Sequence, residues 1–119
     1  MNTAVVYPIT PVPKPRMTRR DRWAKRPCVL RYWAFKDEVR LRRVSLPDRC
    51  RVVFVLPMPA SWRDDYRYAM RGLPHTKKPD LDNLIKALLD AVFVDDAHIH
   101  EFHGSKIWGD NGAIRVYAL

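Results

Sequence analysis

Apolar residues recur along this chain at two periods, helical and alternating, and the switches between them outline the fold. From Leu81 to Val92, advancing about 100° per residue puts Leu81, Leu84, Ile85, Leu88, Leu89 and Val92 in one sector and Asp82, Asn83, Lys86 and Asp90 in the other. This is the clearest helix, with Asp80 at its N-cap. From Cys28 to Val44, Leu30, Trp33, Ala34, Val39 and Leu41 are interleaved with Arg31, Lys36, Arg40, Arg42 and Arg43 at mostly helical spacing, which predicts a basic amphipathic helix ending before Pro47. A third helix is expected from Ser61, as N-cap with Asp64 three residues on, to Gly72 as terminator.

Strands fill the remaining apolar segments. Val5 to Ile9 is a short one, and the β-branched run Arg51 to Leu56, bounded by Pro47 and Pro57, reads as a buried central strand. Alternation from Ile99 to Ile107 and from Ala113 to Leu119, with Gly109-Asp110-Asn111-Gly112 between, predicts a hairpin. The order strand, helix, strand, helix, helix, strand, strand implies an α+β fold. At 119 residues the chain is one domain, 1–119, with a small mixed β-sheet and helices packed against it.

Between the first strand and the first helix the pattern breaks. Pro8, Pro11, Pro13 and Pro15 enforce an extended basic segment over about 8–27 that carries Lys14, Arg16, Arg19, Arg20, Lys25 and Arg26. The formal net charge is +9 and the isoelectric point about 10.0, a balance that favours an anionic partner, nucleic acid first among them. Those six cations, with Lys77 and Lys78 in the loop before the clearest helix, are the expected phosphate contacts, and Trp23 and Tyr32 are candidates to stack on opened bases. No run approaches the roughly 18 apolar residues of a membrane span, and the N-terminus lacks a signal-peptide core, so a soluble cytoplasmic protein is expected. Cys28 and Cys50 form no metal-type spacing and are expected to be plain reduced thiols.

The acids stand out against this charge. Asp80, Asp82 and Lys86 have ordinary readings as a cap, a first-turn acid that complements the helix dipole, and a surface ion pair. A second acidic pair, Asp95-Asp96, read at the start of a strand, changes the weighing. Hard divalent cations take carboxylates from separate segments together with substrate phosphates, and Asp80, Asp82 and Asp96 supply such a set.

The sequence Asp80-Leu81-Asp82-Asn83-Leu84-Ile85-Lys86, followed by an apolar helix with Asp90 and then by Asp95-Asp96-Ala97-His98-Ile99, resembles the RusA family of Holliday-junction resolvases. The similarity is close from Pro79 to about Glu101, and the Pro-Val-Pro-Lys-Pro-Arg segment resembles the basic opening of many phage-encoded members. The resemblance implies a homodimeric, Mg²⁺-dependent endodeoxyribonuclease, with Mn²⁺ as a substitute ion, that nicks branched four-way DNA symmetrically during recombination and repair in a bacterial or phage-infected cell. It places the essential aspartates at Asp80, Asp82 and Asp96 and the essential lysine at Lys86, with accessory positions at Asn83 and Asp95. The link from Asp90 to Asp95 is shorter than in the best-known bacterial member. From Asp82 to Val92 a helix rises roughly 15 Å, and four extended residues return at most about 13 Å. Asp96 therefore joins the other acids within one subunit only through an early helix end or a tight reversal; otherwise it comes from the partner.

Other readings remain open at this point. A non-catalytic nucleic-acid-binding protein accounts for the charge but not for the acids, and a Mg²⁺ nuclease for other branched or duplex DNA shares the acids. His98, His100 and His103 suggest zinc only weakly, because no cysteine joins them and alternating polar residues suit a half-exposed strand. His98 keeps an accessory role near the metal site.

Overall fold

A computed structural model describes residues 3–16, 18 and 26–119. Its elements in chain order are β1 (Val5–Tyr7), α1 (Pro27–Leu41), β2 (Arg49–Pro57), α2 (Asp64–Met70), α3 (Leu81–Val92), β3 (Glu101–Gly109) and β4 (Ala113–Ala118). The strands form one mixed sheet in the order β1-β4-β2-β3, with β2 and β3 parallel and the other neighbours antiparallel. The expected α+β architecture holds, and β2 is central as expected. Among the described residues no helix is long and apolar enough to cross a membrane.

The hairpin expected around 109–112 does not form. β3 and β4 are consecutive but lie on opposite sides of β2, and Met58 at the end of β2 donates its backbone N–H to Gly109 O beneath the turn. The reason lies in β2 itself. Its residues from Val52 to Leu56 are all buried, so both faces are covered and both edges take a strand.

The core lies between the sheet and two helices. Cys50, Val52, Phe54 and Leu56 of β2 and Ile114 and Val116 of β4 meet Tyr32, Phe35 and Val39 of α1 and Leu84, Ala87, Leu88 and Ala91 of α3. In α1 the buried stripe is Val29, Tyr32, Phe35 and Val39, whereas Leu30, Trp33 and Leu41 of the expected stripe are exposed. Both faces of this helix carry apolar residues, so periodicity does not choose between them. In α3 the buried stripe is Leu84, Ala87, Leu88 and Ala91, and the helix packs against α1. Ile85 leans on β3: a Cβ built on Gly104 would lie 2.9 Å from Ile85 Cδ1, so a side chain there would require the end of Ile85 to shift.

α2 is shorter than its pattern. Ser61 is not its cap; Trp62 sits in a turn, with its N–H on Pro59 O, and packs edge-on to Tyr66 and tilted against Trp108. Asp64 and Asp65 occupy the first turn, where they complement the dipole, and Gly72 terminates the segment with a φ of 81°. Cys50 is buried and Cys28 half-buried, both free thiols.

Beyond Gly72 the chain runs antiparallel along the outer edge of β3, through Gly72 N–H to Trp108 O, Trp108 N–H to Leu73 O and His75 N–H to Lys106 O. His75 is buried, its ring 3.9 Å from that of Trp108 and its Nδ1 accepting from Lys77 N–H. Burial and then the charge of Lys106 push its pKa down. The unfolded chain therefore takes up this proton first as pH falls: the contribution is complete above the ordinary value of about 6.5 and declines below it, until the folded-state pKa is passed. Between about pH 7.5 and about pH 5.5 the denaturation midpoint of the wild type should fall more than that of His75→Gln. Equal slopes in urea titrations of the two proteins would remove His75 from this account.

Candidate active site

The Gly72–His75 edge pairing delivers the chain to the start of α3 through a loop fixed from below. Lys106, on β3, donates its ammonium to Lys77 O at 2.5 Å and to Pro79 O at 2.6 Å, and the Lys78–Pro79 peptide is cis. Asp80 then occupies the N-cap position, but its carboxylate makes no capping bond. Both oxygens instead accept from Lys78 Nζ, at 2.8 and 3.0 Å. The hydrogen bond and charge of Lys78, with a further contribution from Lys106, hold the Asp80 carboxyl below the usual aspartate range, so it is ionised at neutral pH.

One turn on, Asp82 and Lys86 pair at 3.6 Å on the exposed face, with both side chains more than three-fifths accessible. Asn83 lies between them, half-buried. A groove of about 490 Å³ lies beside this face, lined by Asp80, Asn83 and Lys78 on one side and Lys14 and Arg16 of the proline-rich strap on the other. A second depression of about 480 Å³ joins Arg16, Asn83 and Lys86. Two accessible carboxylates beside a cationic groove suit a hard divalent cation of the Mg²⁺ type, which takes one or two carboxylates and fills its shell with water and substrate phosphate.

Asp95 and Asp96 lie elsewhere. α3 runs its full expected length to Val92, about 18 Å by helical rise, and residues 93–100 form a loop rather than the start of a strand. Asp95 Oδ1 accepts from Ala97 N–H at 2.9 Å, Asp96 O accepts from Ile99 N–H at 3.0 Å, and both side chains are exposed. Among the described residues no three His, Cys, Asp or Glu side chains gather to hold a metal ion, so one protomer does not bring Asp96 to Asp80 and Asp82. His98 and His100 share no strand face, since β3 begins at Glu101. His98 is 2.7 Å from Asp48 and edge-on to Phe93, which ties the loop to the start of β2.

A family model described as Endodeoxyribonuclease RusA matches residues 8–117 of the 119. The chain belongs to the RusA endodeoxyribonuclease family. This family comprises Holliday-junction endodeoxyribonucleases acting on branched DNA. No curated protein matches the chain, and no solved structure does.

Within this RusA-family fold the expected phosphate contacts divide into groups. Arg16 and Lys78 are exposed and line the groove, Lys77 is exposed in the loop before α3, and Arg26 donates to Arg16 O at 2.7 Å. Lys14 is instead ion-paired with Asp90 at 2.5 Å. Arg19, Arg20 and Lys25 lie outside the described residues, as does Trp23. Tyr32 is buried and donates its hydroxyl to Asp90 Oδ2, so it is unavailable for base stacking. The sequence reading missed Lys106 and Asp48. A single lysine on a strand and a single aspartate before one carry no periodic or motif signal; only the chain's return past β3 and β2 gives them roles.

Proposed function

We propose that this chain is a divalent-cation-dependent resolvase that, as a homodimer, hydrolyses phosphodiesters in symmetric pairs at four-way DNA junctions. The observation that carries the reading is the exposed face of α3, where Asp80, Asn83 and Lys86 line depressions whose far wall is the cationic strap and Asp82 is exposed beside Lys86. Asp80 and Asp82 would hold the cation. When bound, Mg²⁺ or Mn²⁺ supplies Lewis acidity toward the scissile phosphate and acidity to the attacking water. Lys78 neutralises Asp80, and with a cation held there its ammonium would be free to contact a flanking phosphate. Lys86, on the same face, donates to the phosphoryl oxygens as charge develops on them during in-line displacement. Arg16 and Lys77 hold the flanking backbone, with the same role for Arg19, Arg20, Lys25 and Arg26.

Asp96, in the loop that follows the C-terminal end of α3, completes the acid set from the second protomer, with Asp95 shaping that loop through its bond to Ala97 N–H. A two-fold dimer then carries two equivalent composite sites, as paired nicking needs. A synthetic four-way junction and a matched linear duplex, each with Mg²⁺ and with chelator, test the reading. Paired nicks in the junction alone, and only with Mg²⁺, are expected. Comparable cutting of duplex or flap substrates points to the broader nuclease, and binding without cleavage of any DNA points to a non-catalytic binder.

A further inference from the structure

Asp90 lies two turns beyond Asp82 on α3, outside the acids given a role above. Two elements converge on its carboxylate. Lys14 of the strap pairs with Oδ2 at 2.5 Å, and Tyr32 of α1 donates its hydroxyl to the same oxygen at 3.0 Å. Lys14 is tied to α3 a second time, its backbone N–H donating to Asn83 O at 2.9 Å. Partial burial raises the Asp90 pKa, but the hydrogen bonds from Lys14 and Tyr32 outweigh it and the net direction is down, so the carboxylate remains charged at neutral pH. Burial first, and then the bond to Asp90, raise the Tyr32 pKa, so its hydroxyl remains a donor.

Pro13 and Pro15 flank Lys14 and fix φ on both sides, so the path of the strap follows from where Lys14 is held. Arg16 is the next residue after Pro15. It lines both depressions along the exposed face of α3, beside Asn83 and Lys86, and its carbonyl accepts from Arg26. Lys14 thus has its ammonium committed within the protein, while Arg16, two residues on, faces the groove.

We propose that Asp90, braced by Tyr32, is a positioning residue for DNA binding: it clasps Lys14 so that the strap sets Arg16 over the exposed face of α3 as a phosphate contact. The proposal rests on the nucleic-acid reading above. It makes a prediction opposite in sign to simple electrostatics. Neutralising an acid near a bound polyanion should tighten binding, whereas releasing the clasp should weaken it.

The test measures affinity for a synthetic four-way junction, in chelator, across a salt series. Asp90→Asn is expected to weaken binding about three- to tenfold despite raising the net charge by one, and to lower the salt slope by about one, as Arg16→Ala does. The double variant should bind no more weakly than Arg16→Ala. Tyr32→Phe, which keeps the charge count, should loosen binding in the same direction by a smaller factor. Hydrogen exchange without DNA reads the clasp itself: the Lys14 amide, isolated between two prolines, should lose protection in Asp90→Asn. Junction binding by Asp90→Asn equal to or tighter than wild type overturns the proposal, as does a Lys14 amide that stays protected. Failure of the wild type to bind DNA would overturn the functional reading and the DNA-binding role together, whereas loss of Lys14 protection in Asp90→Asn would still establish the clasp by itself.

Discussion

Asp82→Asn is expected to lower junction cleavage at least about a hundredfold while leaving junction affinity unchanged or slightly tighter. The substitution preserves shape and removes a negative charge, and the side chain it alters is about two-thirds exposed and supports no core contact. Stability should therefore stay within the range of ordinary surface changes, about 0.5 kcal/mol either way. Loss of one of two carboxylates removes much of the attraction for a divalent cation, while the cationic strap and the Lys77–Lys78 loop are untouched. Lys86→Ala should act on the same step from the other side, costing about 10²–10³ in rate by removing charge stabilisation, with the fold again intact. Binding titrations beside single-turnover cleavage check both variants. A near wild-type rate in either would mean that the exposed face of α3 is not where the phosphodiester is cut. The contrast with Asp90→Asn sharpens the assignment: both variants remove one acidic charge from the same helix, yet one should lose chemistry and the other DNA affinity.

The helix that carries the candidate site was more legible in the sequence than the sheet around it. Helix α3 follows its pattern from Leu81 to Val92 because a strongly one-sided stripe begins directly after Pro79 and Asp80; of its polar positions Asn83 and Lys86 line the groove, Asp82 is exposed beside Lys86, and Asp90 turns to Lys14 and Tyr32. The start of α1 was also legible, but the helix ends at Leu41 rather than Val44, with Arg43 at a φ of 53°, and its buried face was not legible, since Leu30, Trp33 and Leu41 compete with Val29, Tyr32 and Phe35 and only packing against α3 decides. The hairpin failed for a different reason. Gly109 to Gly112 has turn chemistry, but turn chemistry does not reveal whether a third strand lies between the two it joins. Here β2, buried on both faces, takes that place. The alternation read from Ile99 begins only at Glu101, because His98 is drawn to Asp48 and His100 N–H to Asp48 O. Lys14 shows the limit of reading charge from sequence: it was one cation among several, and its partner Asp90 lies far along the chain.

The separation of Asp96 from Asp82 leads to the second large effect. If the acids of one site come from two protomers, Asp82→Asn and Asp96→Asn homodimers should each be inactive, because every composite site carries one defect. In a heterodimer of the two, one site receives both defects and the other receives none. Random exchange gives half heterodimers, so about a quarter of wild-type sites should recover in an equal mixture of two-fold dimers. Each active heterodimer carries a single competent site, so its product should be a junction nicked once rather than a resolved pair of duplexes. If all acids act within one chain, both sites of the heterodimer stay defective and mixing recovers nothing.

The most direct measurement of a site shared between α3 of one protomer and Asp96 of the other is therefore cleavage by co-refolded Asp82→Asn and Asp96→Asn proteins. The assay uses Mg²⁺ and a four-way junction labelled on opposing strands. Single-strand nicking at about a quarter of the wild-type rate, absent from either variant alone, is the predicted result. A mixture as inactive as its parents, with heterodimer formation verified by differently tagged chains, would contradict it.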